Sequence, residues 1–167
     1  MGDQQTLVLA VDPGAGGAFS WVTGAGYLID SVDMPMVEVR GKRRVSASGV
    51  TALMLKRPVT LVVIEGVGSM PNQGVASSFA FGYGAGLIEG VAAGLGLPVE
   101  IIRASVWKRR ADVSADKGAA RERAMRLWPG AEQKFARVRD DGRAESALLA
   151  HWVATRRDGG VIVREKA

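Results

Sequence analysis

The stretch VTLVVIEG, residues 59–66, constrains this chain more than any other. An unbroken apolar, β-branched run with no alternation marks a strand buried on both faces. Such a strand needs cover on two sides, which points to a layered α/β arrangement. It also ends on a carboxylate, Glu65, and a charge at the end of a buried strand is costly without a partner. The run TLVLAVD (6–12) repeats the form: apolar residues, then Asp12, then a turn forced by PGAGG. If the two strands are neighbours, their acids lie side by side at one sheet edge. There they repel unless a proton or cation intervenes. Taken singly, Asp12 also suits the start of a turn and Glu65 a solvated strand end.

The remaining segments fill in the layers. AFSWVTG and YLIDSVDMP follow with tight turns between, an antiparallel meander with the first strand. EVRGKRRVSASG (38–49) is basic and polar, a loop or extended arm. GVTALMLKR (49–57) reads as a short helix capped by Ser46 or Ser48. Residues 75–95 form a long helix, LPVEIIR a strand, and SADKGAARERAMRLWP a helix with Ser114 as cap and Pro129 as stop. Residues 141–157 form the last helix. The region VASSFAFGYGAGLIEGVAAGLGLPVEII imitates a membrane span, but Glu89, Pro98 and its glycines read better as a buried helix and strand. With no repeat or linker, residues 1–167 are expected to form one α/β domain with a mixed sheet. Gly82, Gly86, Gly90 and Gly94 recur every four residues along one helix face. Each glycine costs about 1 kcal/mol against alanine, so a close backbone approach is expected, to this chain's own sheet or to a second subunit.

A third acidic element opens the last helix in DDGRAESALLAHW (140–152). Asp141 and Glu145 are four apart and share a helix face. Asp140 competes with Asp141, since either can cap the helix. His151 lies too far along to join them and is read as structural.

Composition narrows the chemistry. The chain has no cysteine and one histidine, so thiolate and histidine-rich metal sites are excluded. A metal would be held by oxygens, which favours Mg²⁺, Mn²⁺ or Ca²⁺. Four carboxylates without thiol or imidazole suit a two-metal phosphoryl-transfer site, with ions roughly 4 Å apart and no protein nucleophile. The net charge of +5 and pI of about 10.0 are compatible with a polyanionic partner. Between Arg103 and Arg126 stand eight basic residues (Arg103, Lys108, Arg109, Arg110, Lys117, Arg121, Arg123, Arg126) against three acids. Arg40, Lys42, Arg43 and Arg44 form a second cluster. Cations beside a carboxylate site are what a nuclease requires. DPGAGGA lacks the lysine and Ser/Thr of a phosphate loop, and a strand follows it. No signal peptide or membrane span is legible, so a cytoplasmic location is expected.

Four motifs, LAVDPGAGGA, VVIEGVGSMPNQGVASSFAFGYGAG, SVWKRRADVSADKGAARERAMRLWP and DDGRAESALLA, together resemble the RuvC-type Holliday junction resolvases, especially the short phage-encoded branch. They run in the family's order and cover about residues 7–155. The resemblance implies an RNase H-like fold, a mixed five-stranded sheet flanked by helices. It implies a Mg²⁺-dependent endonuclease, with Mn²⁺ as a substitute, acting as a homodimer that nicks a four-way junction or other branched DNA in the host cytoplasm. Its four metal ligands fall on Asp12, Glu65, Asp141 and Glu145, and its lysines near the scissile phosphate on Lys108 and Lys117. Ser69, Met70, Asn72, Gln73 and Phe79 would face the junction, with Arg109, Arg110 and Arg121 as further DNA contacts, and the glycine-bearing helix would lie near the dimer interface. The bacterial proteins space their last acidic pair three apart and end it in aspartate; Asp141 and Glu145 are four apart and end in glutamate. Two other classes compete: a branched-DNA-binding scaffold without catalysis, and an actin-like phosphotransferase, for whose two-domain cleft 167 residues leave no room.

Overall fold

The computed structural model describes residues 6–66, 68, 74–114, 116 and 118–156. Seven strands and five α-helices are present among them: β1 (Leu7–Asp12), β2 (Ala18–Thr23), β3 (Leu28–Asp33), β4 (Met36–Val39), β5 (Lys42–Val45), α1 (Ala47–Leu55), β6 (Leu61–Gly66), α2 (Val75–Gly94), β7 (Val99–Arg103), α3 (Ala104–Arg110), α4 (Ala119–Leu127) and α5 (Asp141–Thr155). The main sheet has the order β3-β2-β1-β6-β7. The β1–β2 and β2–β3 pairs are antiparallel, and β1–β6 and β6–β7 are parallel. This is a mixed five-stranded sheet with helices on both faces, as the apolar runs require.

Strand parity sorts the core into two layers. Val8, Ala10 and Val63 point to one face and pack under α3, α4 and α5, with Trp107, Phe135 and Leu148. Leu9, Val11, Val62 and Ile64 point to the other, with α1, α2, Trp21 and Ile88. Continuing the alternation, Asp12 and Glu65 fall on the α5 side. Ser20 of β2 bonds to Ser31 of β3 at 2.8 Å and to Ser146 of α5 at 2.7 Å, so these buried hydroxyls satisfy one another.

The structure departs from the sequence reading in several places. Residues expected as an arm form a separate two-stranded hairpin, β4–β5, which turns at Arg40 and Gly41, both with positive φ. The helix expected over 49–57 covers Ala47–Leu55; Ser46, one of its two candidate caps, accepts from the Gly49 N–H at 3.1 Å. Helix α3 was not anticipated. Ser114 does not cap α4: it bonds Asp116 instead, and the cap is Gly118 with φ of 85°. Gly82, Gly86, Gly90 and Gly94 do not pack on the sheet; a Cβ at any of them would meet open space. The face of α2 that meets the core carries Gly84, Ile88 and Ala92.

Candidate active site at the sheet edge

Asp12 and Glu65 reach one edge of the sheet because β1 and β6 run parallel in register, Val11 opposite Ile64. Each acid is the next residue. The turn after Asp12 doubles back tightly: a Cβ on Gly17 would fall 2.0 Å from the Asp12 carbonyl oxygen, so only glycine fits. Helix α5 then presses its amino end on that turn. A Cβ on Gly142 would lie 2.4 Å from the Gly16 carbonyl oxygen and 2.7 Å from Gly17 Cα. Backbone contact at this point brings α5 close enough for Glu145, one turn further on, to face the strand-end acids.

The carboxyls feel one another. Burial pushes the Asp12 carboxyl up, and Glu65 and then Glu145 push it further, while the Gly14 N–H and Lys108 pull it down; it rises to about 7. Burial likewise raises Glu65, with Glu145 adding to it and Trp107 and Lys108 opposing. Trp107, fully buried, donates its indole N–H to Glu65 Oε1 at 2.8 Å. The adjacent Lys108 donates to Glu145 Oε1 at 2.7 Å. Helix α3, absent from the sequence reading, thus supplies one positioning donor and one cation.

The α5 acids separate clearly. Asp140 is wholly buried and gripped by Arg137, whose Nη2 lies 2.7 Å from Oδ1 and whose backbone N–H lies 2.8 Å from Oδ2. It closes a capping box ahead of α5. Asp141 is about half-exposed and pairs with Arg121 Nε at 2.7 Å. It is not among the groups that shift Asp12. His151 sits edge-on to Trp128 with centroids 5.6 Å apart, and burial, then Arg123, lowers its pKa. It is structural.

Of the other sequence candidates, Arg109 and Arg110 are exposed in the last turn of α3, and Phe79 is exposed near the start of α2. Ser69, Met70, Asn72, Gln73 and Lys117 lie outside the described residues. Sequence reasoning missed Trp107, although a tryptophan directly before the singled-out Lys108 was the available signal.

An all-oxygen donor set suits a hard divalent cation. Burial first and the neighbouring carboxylates after it raise Asp12 and Glu65, and a cation would relieve both. Among the described residues, no three acidic groups converge on one point closely enough to hold an ion as they stand. Lys108 and Arg121 are bonded to the two α5 acids instead. The donor chemistry and charge fit a cation, and the side chains would have to turn toward it.

Comparison with known proteins bears on the fold. No protein-family profile matches the chain, and no curated protein matches it. Among solved structures it is similar to RuvC of Thermus thermophilus in complex with a Holliday junction substrate. The TM-score is 0.57 at 15% identity, over 88% of this chain and 91% of that one. A second Thermus thermophilus RuvC structure aligns with TM-score 0.50 at 13% identity, over 88% and 92%. The fold is the RNase H-like fold of RuvC. Among the described residues, no helix is long and apolar enough to cross a membrane.

Proposed function

We propose that this chain is a structure-selective DNA endonuclease that nicks four-way junctions and other branched DNA as a homodimer, close to the phage-encoded branch of the RuvC-type resolvases. The observation that carries the reading is that Asp12, Glu65 and Glu145 lie within electrostatic reach of one another at one sheet edge, with Asp12 raised to about 7. A chain does not bury mutually repelling carboxylates at the end of its central strands for stability alone. The Thermus neighbour, aligned over most of both chains, was solved with a Holliday junction.

In this reading Asp12, Glu65, Glu145 and Asp141 would hold Mg²⁺, or Mn²⁺ in its place. When bound, the ion supplies Lewis-acid activation of water and of the scissile phosphate. The chain's own residues do the rest. Trp107 fixes one oxygen of Glu65. Lys108, and Lys117 with it, offer positive charge to the phosphate. Arg109, Arg110, Arg121 and the segment Ser69, Met70, Asn72, Gln73 and Phe79 hold the branched duplex. The open glycine face of α2 supports the homodimer, because a stripe without Cβ atoms lets two backbones approach.

The test is Asp12→Asn. It should abolish nicking of a synthetic four-way junction and leave binding largely intact; full activity would overturn the mechanism. One observation favours a non-catalytic scaffold: Lys108 and Arg121 already neutralise both α5 acids. Junction binding with no product under any divalent metal would decide for it.

A further inference from the structure

The hairpin β4–β5 carries four basic residues, Arg40, Lys42, Arg43 and Arg44, and all are exposed. Among the described residues none of them forms a salt bridge, and Glu38 is the only acid on the hairpin. Register explains their display. Met36 and Val45 pair at the base and pack into the core beneath α1 and α2. Lys42 and Arg44 project from the opposite face, and Arg40 stands at the tip. Arg40 has φ of 52°, a left-handed conformation that Asn or Gly would adopt at less cost. Charges on an edge strand also deter unwanted sheet pairing, but one lysine suffices for that.

The hairpin's location gives these charges a direction. Asp33, the last residue of β3, pairs with Ala18, which pairs with Asp12. The hairpin therefore leaves the sheet at the edge that bears the carboxylates. At its other end, a Cβ on Gly84 of α2 would lie 3.0 Å from Val45 Cγ2 and 3.6 Å from the carbonyl oxygen of Pro13, next to Asp12. Hairpin base, α2 and the acid-bearing turn meet there. Arg44 lies 5.9 Å from the Tyr83 ring centre, which ties the outer face to α2. Lys108 of α3 and Arg121 of α4 stand on the other side of the sheet, bonded to Glu145 and Asp141. Positive charge thus flanks the carboxylate edge from both faces.

We propose that the β4–β5 hairpin is a nucleic-acid arm that grips the phosphate backbone of a duplex lying across the carboxylate edge. This deepens the nuclease reading and rests on it for the position of the cut. Four paired residues span about 13 Å, and a two-stranded ribbon fits a major groove about 12 Å wide. The contacts are to phosphates, so the arm adds affinity without choosing sequence.

The experiment compares wild type with the triple variant Arg40→Gly, Lys42→Thr, Arg43→Thr, leaving Arg44 on Tyr83. Binding to a four-way junction and to a plain duplex is measured in Ca²⁺ across a salt series, with sedimentation and thermal melting alongside. Each lost phosphate contact removes about 0.9 from the slope of log affinity against log salt. The variant's slope should therefore be shallower by about 2 to 3 on both DNAs. The wild-type advantage should shrink about 40-fold between roughly 50 and 200 mM salt, with melting and association state unchanged. Unchanged slope and affinity in the variant, while Arg109→Ala/Arg110→Ala loses binding, would overturn the arm. So would a wild type that binds no nucleic acid, or a triple variant that falls from dimer to monomer, which would make the hairpin a subunit contact. Nicking in Mg²⁺ is scored separately: loss of slope without any cleavage by wild type keeps the arm and removes the nuclease reading.

Discussion

Trp107 and Glu65 are joined by a hydrogen bond of 2.8 Å that crosses from the buried middle of α3 to the end of β6. The indole of Trp107 is an anchor packed in the core, and it holds one oxygen of the acid. Trp107→Phe removes the donor while keeping most of the apolar volume. Stability should fall by about 1–3 kcal/mol in urea unfolding. Nicking should fall about 10- to 100-fold, as for partners that orient a ligand. Losing the bond also lets Glu65 rise further, so the acid limb of the pH–rate profile should move to higher pH. An unmoved profile would mean that Trp107 only packs.

Asp12 gives the fold a pH dependence. Its folded-state value of about 7 lies above the unfolded value of 3.8, so between these values the folded chain binds more protons than the unfolded one. The contribution of this group to stability is therefore most favourable at low pH and is lost as pH rises toward 7. At 1.36 kcal/mol per pH unit, the cost at pH 8 is at most about 4 kcal/mol. Asp12→Asn should raise the melting temperature at pH 8, and the gain should vanish near pH 4. Mn²⁺ should raise the wild-type melting temperature at pH 8 and move the variant much less.

Asp140 and Asp141 should part company under mutation. Asp140→Ala removes a buried cap held by Arg137 and should cost about 1–3 kcal/mol. Nicking per folded molecule at low temperature should hardly change. Asp141→Ala, at a half-exposed position, should leave melting within about 0.5 kcal/mol of wild type and depress nicking. The reverse result would give the ligand role to Asp140.

Lys108 lowers both Asp12 and Glu65. Lys108→Met should therefore raise both carboxyls and shift the acid limb of the activity profile to higher pH. It also frees Glu145, so the affinity for Mn²⁺ in the absence of DNA, read by calorimetry at pH 8, should increase. A decrease would show that Lys108 organises Glu145 for the ion and does not compete with it.

The parts of this molecule that hydrophobic patterning controls were legible in the sequence. The runs ending in Asp12 and Glu65 became adjacent parallel strands, the meander became β1–β2–β3, and 75–95 became α2. Where polar chemistry decides, the sequence was ambiguous. KRRV carries no apolar alternation, so β5 read as an arm; its strand form depends on pairing with MVEV across an Arg-Gly turn. Helix α3 is seven residues long and follows β7 without a break, too short for a periodic signature. The choice between Asp140 and Asp141 rested on Arg137 and Arg121, which sequence spacing could not match to their partners. Glycines spaced for close approach pointed to a packed face of α2, but among the described residues nothing approaches it, and nothing in the spacing said that its own sheet would not fill it.

The contact between Gly17 and Gly142 joins a turn made early in synthesis to a helix made near the end. Asp12 and Glu65 can pair on the sheet before α5 exists, but Glu145 arrives only when that helix docks. A nascent or clipped chain lacking α5 would hold the two strand-end acids without Glu145 and so no complete cluster. In the proposed reading, cutting power is then the last property the chain acquires, and a partly made copy is harmless to the DNA around it.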